Sequence, residues 1–385
     1  MTSEVKILKC EIMLTRNCNL RCKFCFEKND GYSKKDSIDL DNLKRIVDFC
    51  CDAKAKYIFF TGGEPLLYPY LIDILQYIQS RNHSVEIAIA TNGILLSDPD
   101  FCKDLINRGM KYVDISIKGK DVKEWIEETG ADGCEKQAQA IRNLSNLPVE
   151  FTCSMVVTPE NVYSVYERVQ RAHDCGARQF SFTFFIDNDD ASEKGIIYLE
   201  KHNPYVLVDA FLAQVDHLSA ISNDWWVEYS FPICIYTDEQ IALLKGRLAA
   251  PCHIFTKDAI VFNPDMEVLP CDMYSKTKMS KFGADFSSYV EFKKIAESRA
   301  YQSILDSLSK HPSTECGSCR HLKSCQGGCP VLWKNYSFDD LKKFKKSRTS
   351  QMSWTRSIDK HPQCSKEHSD FRTSDNIVLE SPHSF

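Results

Sequence analysis

From residue 10 to about 186 the chain alternates short apolar, β-branched runs with longer amphipathic ones. The short apolar runs predict strands near 10–15, 56–61, 85–91, 111–117, 149–157 and 178–186. Helical periodicity between them predicts helices near 41–54, 70–81, 99–108, 133–146 and 160–175. Six such β–α units make an α/β fold, with a parallel sheet and helices outside it. Ligands in these folds sit at the carboxyl ends of the strands. Cys18, Cys22 and Cys25, Gly62-Gly63-Glu64, Thr91-Asn92-Gly93 and Ser116 all fall at or just past those ends.

The pattern then changes. Residues 187–231 read as a polar, acidic connection followed by a helix-like run, with Trp225 and Trp226 expected to pack beneath it. From 232 to 365 cysteines cluster, and glycine and proline mark turns. The stretch 366–385 is polar and aperiodic, and reads as a tail. The expected division is therefore 1–186, 187–231, 232–365 and 366–385.

Composition adds bounds rather than chemistry. Apolar content of 43% and charged content of 26% are those of an ordinary globular protein. A net charge of −5 gives no reason to expect a nucleic-acid or membrane partner. The amino terminus lacks a signal-peptide core, and no apolar stretch reaches spanning length. In a chain of 385 residues without a secretion signal, 18 cysteines point to metal binding rather than disulfides. A cytoplasmic location is expected.

Cys18, Cys22 and Cys25 form C-x3-C-x2-C directly after an apolar run. Three thiolates so placed can hold three corners of a 4Fe–4S cubane, leaving the fourth iron without a protein ligand. Electron-transfer clusters usually take four thiolates, so an open iron suggests chemistry. About 40 residues on, the strand Tyr57-Ile58-Phe59-Phe60-Thr61 runs into Gly62-Gly63-Glu64-Pro65. Paired glycines let the backbone approach a ligand closely. Together the two motifs resemble the radical S-adenosylmethionine (radical SAM) superfamily, which implies a partial (β/α)6 TIM-like barrel. The resemblance also implies that the open iron chelates the amine and carboxylate of S-adenosylmethionine. Among its contacts at the strand ends, Gly62, Gly63, Glu64 and Asn92 are expected to bind this cofactor.

A second array, Cys316, Cys319, Cys325 and Cys329, has the spacing C-x2-C-x5-C-x3-C. Cys252 and Cys271 precede it and Cys364 follows. A zinc ribbon is one reading, although seven cysteines exceed what one zinc needs. The array resembles the SPASM extension of radical SAM enzymes, which implies two auxiliary 4Fe–4S clusters, three in all. In that family the first takes cysteines matching Cys252, Cys271 and Cys329. The second takes those matching Cys316, Cys319, Cys325 and Cys364. Cys234 is a candidate fourth ligand of the first, the alternative being an open iron. Met266 stands where the family has glycine, and the turn Asn263-Pro264-Asp265 is a substitute for it.

Ser116 matches a serine that hydrogen-bonds the ribose in the family; otherwise it simply ends a strand. Lys118 can pair with the methionyl carboxylate or be a surface lysine. The family's arginine has no counterpart in Trp125-Ile126-Glu127-Glu128-Thr129-Gly130. Cys271-Asp272-Met273-Tyr274 resembles anaerobic sulfatase-maturating enzymes, where the aspartate is the general base; the alternative is a carboxylate capping backbone amides. Cys10, Cys50, Cys51, Cys102, Cys134, Cys153 and Cys175 read as packing residues. Lys342-Lys343-Phe344-Lys345-Lys346-Ser347-Arg348 is either a solvated face or a docking patch for an acidic peptide.

The resemblance implies a 5′-deoxyadenosyl radical that crosslinks, oxidises or epimerises a ribosomally made peptide. A formylglycine-forming sulfatase maturase, a small-molecule oxidoreductase and a non-catalytic iron–sulfur carrier are the alternatives. Only 17 residues precede Cys18, too few for a winged-helix recognition domain. A separate peptide-recognition protein or direct docking is therefore expected, with flavodoxin or ferredoxin as electron donor.

Overall fold

In a computed structural model, residues 6–29, 36–81, 84–188, 193–228, 231–244, 246–249 and 252–355 are described, with side chains as far as 347. Cys364 and the expected tail at 366–385 lie outside the described residues.

All six expected strands form: β1 Lys9–Thr15, β2 Tyr57–Gly62, β3 Glu86–Thr91, β4 Met110–Ser116, β5 Glu150–Val157 and β6 Gln179–Phe184. They pair in sequence order and in parallel. The helices are α1 Leu40–Asp52, α2 Leu71–Ser80, α3 Pro99–Asn107, α4 Val122–Thr129, α5 Cys134–Ser145 and α6 Val165–Asp174. The expected stretch at 160–175 begins instead with a 3-10 turn at Val162–Ser164.

Helix α4 escapes the apolar periodicity because half of its residues are charged and Trp125 is its one fully buried apolar side chain. Its end signals are nonetheless in the sequence. Asp121 accepts the Glu124 N–H, and Gly130 closes the helix at φ 77°.

The sheet extends beyond the six strands on both sides. Strands β7 Asp224–Val227, β8 Ala259–Phe262, β9 Glu267–Leu269 and β10 Ser280–Lys281 complete the order β10-β9-β8-β1-β2-β3-β4-β5-β6-β7. β7 and β8 run parallel to β6 and β1, while β9 and β10 add antiparallel pairs. Strands of two to four residues are too short to show a period. Trp225 and Trp226 therefore belong to a strand, preceded by helices at Gly195–Lys201, Pro204–Leu212 and Val215–Ile221.

Side-chain alternation divides the sheet. Cys10, Ile12 and Leu14 pack with Leu43, Ile46 and Phe49 of α1 in the main core. Phe49 also meets Phe262, Phe282, Phe286 and Phe292 at ring centroids 5.5–6.0 Å apart, which ties the later strands to α1. Lys9 and Glu11 occupy the alternate positions of β1 and face away from this core.

The hairpin between β8 and β9 turns through Met266 at φ 63°. Asn263 Oδ1 accepts the N–H groups of Asp265 and Glu267, and the Met266 N–H bonds to Asn263 O. The turn forms with methionine in the left-handed region, where glycine is the unstrained choice.

Candidate active site

The cysteine loop that follows β1 is held from two sides. From α4, the Thr129 carbonyl accepts the Arg21 N–H at 2.7 Å and the Glu128 carbonyl accepts that of Lys23 at 3.0 Å. Arg168 of α6, itself buried, braces α4 by donating to Glu124 and Glu128, each at 2.7 Å. From β2, the N–H of Gly63 bonds to Thr15 O and that of Glu64 to Asn17 O. A Cβ on Gly63 would lie 2.4 Å from Asn17 O, so the loop and the glycine pair touch backbone to backbone. Gly62 is equally close to Thr15 O and has φ 125°.

Glu64 is 1% exposed. Its carboxylate accepts Thr91 Oγ1–H at 2.6 Å, Asn92 N–H at 2.8 Å and Leu66 N–H at 3.0 Å. Asn92 then donates to Asn19 Oδ1 at 2.8 Å, in the cysteine loop itself. Gln137 of α5 donates to the carbonyls of Asn92 and Ser116, joining the ends of β3 and β4. Gln137 carries no sequence motif, but it stands on the buried face of α5 with Cys134, Ala138 and Ile141. A polar residue in an apolar stripe was the available signal.

Lys118 is 5% exposed, so it is no surface lysine. Its ammonium donates to Ser116 Oγ at 2.6 Å and lies over the Phe24 ring at 4.6 Å. It also favours the Cys22 thiolate, although burial dominates and raises that thiol's pKa. Burial likewise pushes the Cys18 thiol up to about 12, opposed by the Leu20 N–H aimed at its sulfur. Thiols held neutral in this way release protons when they take up a metal centre. The donors present, three thiols beside a glycine backbone cradle, fit an iron–sulfur cluster open on one side.

Deeper in, charged groups from non-adjacent strands meet across the inner face of the sheet. Lys9 and Glu11 of β1 are 3.3 Å apart. Burial works against the Lys9 charge, but Glu11, Asp272 and Glu228 hold it protonated. Asp114 of β4 is raised to about 6, first by burial and then by Glu228, against a hydrogen bond from Ser154. Asp114 Oδ1 and Thr61 Oγ1 are buried without hydrogen-bond partners among the described residues. Neither Asp114 nor Glu228 belongs to a motif; their signal was a charged residue at an inward strand position or strand end.

Asp272 joins this group. Its Oδ1 accepts the Met273 N–H at 2.8 Å and stands 2.9 Å from Cys271 Sγ. The carboxylate thus both caps an amide and faces Glu11 and Lys9; burial and then Glu11 raise its pKa to about 6. Cys271 has Cys252 and Cys329 as electrostatic neighbours, which brings the first expected trio together.

Cys234 is not with that trio. Its thiol neighbours are Cys325 and Cys316, because the 3-10 turn Ile233–Ile235 is packed on the C-x2-C-x5-C segment. Cys234 was expected to complete the Cys252, Cys271 and Cys329 set or to leave its iron open; its nearest thiols here are those of the second array. Part of the basic run is internal: in the helix Phe338–Thr355, Phe344 is buried and Lys345 donates to Cys234 O at 3.0 Å.

Residues 12–172 match the sequence family described as the radical SAM superfamily. Curated relatives include the GTP 3′,8-cyclase of Clostridium perfringens, 40% identical over 28% of this chain and 33% of its own length. That of Campylobacter jejuni is 36% identical over 39% of this chain and 47% of its own. The chain thus spans about a third to a half of these relatives. Among solved structures, anSMEcpe with bound AdoMet and Kp18Cys peptide has TM-score 0.65 at 18% identity, covering 91% of this chain and 99% of that one. Streptococcus suis SuiB bound to precursor peptide SuiA has TM-score 0.59 at 18% identity, covering 86% of this chain and 75% of that one. At these identities the likeness is one of fold.

Proposed function

We propose, on the premise that residues 12–172 belong to the radical SAM superfamily, that the chain oxidatively modifies a peptide or protein. When bound at Cys18, Cys22 and Cys25, a 4Fe–4S cluster and S-adenosylmethionine supply a 5′-deoxyadenosyl radical that abstracts a substrate hydrogen atom. Gly62 and Gly63 offer their backbone to the methionyl amine, and Lys118 its ammonium to the methionyl carboxylate. Ser116 and Asn92 serve the nucleoside end. Glu64 acts by fixing Thr91 and Asn92 rather than by touching the ligand. Asp272 takes the proton that leaves a substrate after hydrogen abstraction. Cys252, Cys271 and Cys329, and the array from Cys316 to Cys325, are candidates to hold auxiliary clusters that accept the remaining electron.

The observation that carries the substrate class is the charge of the inner face. Glu11, Asp114, Glu228 and Asp272 lie around Lys9, with Lys118 as a second cation acting on Asp114. A nucleoside triphosphate would set several negative charges among four carboxylates. Two like charges 4 Å apart cost about 4 kcal/mol at an effective dielectric of 20. A neutral or cationic peptide side chain meets no such penalty, and Asp114 Oδ1 is an unused acceptor for it. SuiB with its bound precursor peptide and anSMEcpe with its bound peptide share the fold over most of the chain, which supports the same reading.

The test is anaerobic incubation of the reconstituted chain with dithionite and S-adenosylmethionine, first alone, then with candidate peptides and with GTP. Release of 5′-deoxyadenosine together with a peptide mass change supports the proposal. Conversion of GTP to a cyclised product would overturn the substrate class. A sulfatase-derived peptide belongs in the panel, because Asp272 beside Cys271 also favours formylglycine formation. Aldehyde labelling separates that product from a crosslink.

A further inference from the structure

The geometry points to Cys234 as the fourth thiolate of the second auxiliary centre, completing a set with Cys316, Cys319 and Cys325. This rests on the reading that the chain holds auxiliary iron–sulfur clusters, and it reassigns the position that family likeness gives to Cys364.

Three contacts tie the segment of Cys234 to this array, and a fourth holds it to the last described helix. The Ile233 N–H donates to Cys325 Sγ at 3.2 Å. Such N–H bonds to sulfur are among those that tune cluster thiolates. Gly328 lies so close to this segment that a Cβ there would come within 2.7 Å of Pro232 N. Lys345 clamps the Cys234 carbonyl from the helix Phe338–Thr355. Arg320, next to Cys319, pairs on the surface with Asp238 of the same segment at 3.2 Å.

The thiols are linked pairwise by their electrostatics. Cys325 and Cys316 act on Cys234, and Cys325 and Cys319 act on Cys316. Backbone bonds Cys319 N–H to Cys316 O and Cys325 N–H to His321 O fold the C-x2-C-x5-C segment into one turn-rich loop. The proposed occupant is a 4Fe–4S cluster, the group that the family resemblance implies for this array; a cubane binds each thiolate through a different iron, so it accepts thiolates that stand farther apart than those around zinc.

The test uses the full chain with Cys18, Cys22 and Cys25 replaced by Ala, so that only auxiliary centres remain. Cys234→Ala and Cys364→Ala are compared after anaerobic reconstitution by iron, sulfide and zinc analysis and by electron paramagnetic resonance of the reduced protein. The expected result is a fall from about eight to about four irons per chain, or a shifted cluster signal, in Cys234→Ala alone. Circular dichroism checks that this exposed position leaves the fold intact. An unchanged signal in Cys234→Ala, with loss in Cys364→Ala, overturns the assignment but keeps the clusters. Absence of iron from the parent, or stoichiometric zinc in its place, overturns both.

Discussion

Glu64 Oε2 accepts the backbone N–H of Asn92 at 2.8 Å, so the carboxylate ending β2 is committed to the backbone ending β3. Each end also reaches the cysteine loop by its own bond, Glu64 N–H to Asn17 O and Asn92 Nδ2–H to Asn19 Oδ1. Glu64→Gln keeps the size but places an amide donor against donors. The expected loss is about 1–3 kcal/mol of stability, with weaker S-adenosylmethionine binding. Anaerobic denaturant unfolding and calorimetric titration check it, and wild-type values in both would show the carboxylate to be dispensable.

Gly63→Ala should disturb the cysteine loop without any change of backbone preference, since the conflict is purely steric. The added Cβ would lie 2.4 Å from Asn17 O and 2.8 Å from Arg16 O. Overpacking of this kind costs about 1–3 kcal/mol. Because the displaced atoms lead straight into Cys18, iron content after reconstitution should fall with stability. Full iron loading of a folded variant would contradict this.

Arg168 is 2% exposed and bridges Glu124 and Glu128, whose helix carries the carbonyls that hold Arg21 and Lys23. Arg168→Met leaves two carboxylates without their partner, at a cost of about 3–5 kcal/mol. Arg168→Lys should recover only part, because an ammonium lacks the guanidinium fork that meets both. Thermal unfolding tests the cost. Faster bleaching of the cluster absorbance in air tests the link to the cysteine loop.

Asp114 gives a pH dependence of definite sign. Its folded pKa is raised from 3.8 to about 6 by burial and Glu228, against Ser154, Lys118 and Lys9. Between these values the folded state binds the proton that the unfolded chain has released. This group's contribution to stability therefore rises as pH falls from about 6.5 to 4.5, by an amount of order 2 kcal/mol. In Asp114→Asn that component disappears. Urea unfolding at three pH values distinguishes the two slopes, and parallel slopes would contradict the assignment.

The six parallel strands and most of their helices were legible because each carries a full period of apolar positions. The charged helix α4 was missed by period, yet Asp121 and Gly130 marked its ends. Strands β7 to β10 were illegible because two to four residues acquire strand geometry only from a neighbour already in the sheet.

The same division holds at the site. By itself the sequence determined which chemistries were available: thiols at cluster spacing, a glycine pair after a strand, and a carboxylate beside a cysteine. Spacing fixes what residues close in the chain can hold together. Only the tertiary structure decided which distant groups meet: Glu64 with Asn92, Arg168 with the helix under the cysteine loop, Lys9 with four carboxylates. It also decided the company of Cys234, which lies with Cys325 and Cys316 rather than with Cys252 and Cys271. The reason is physical. Contacts between remote segments follow from how the sheet curls and how a turn packs on its neighbours, and no local pattern encodes either.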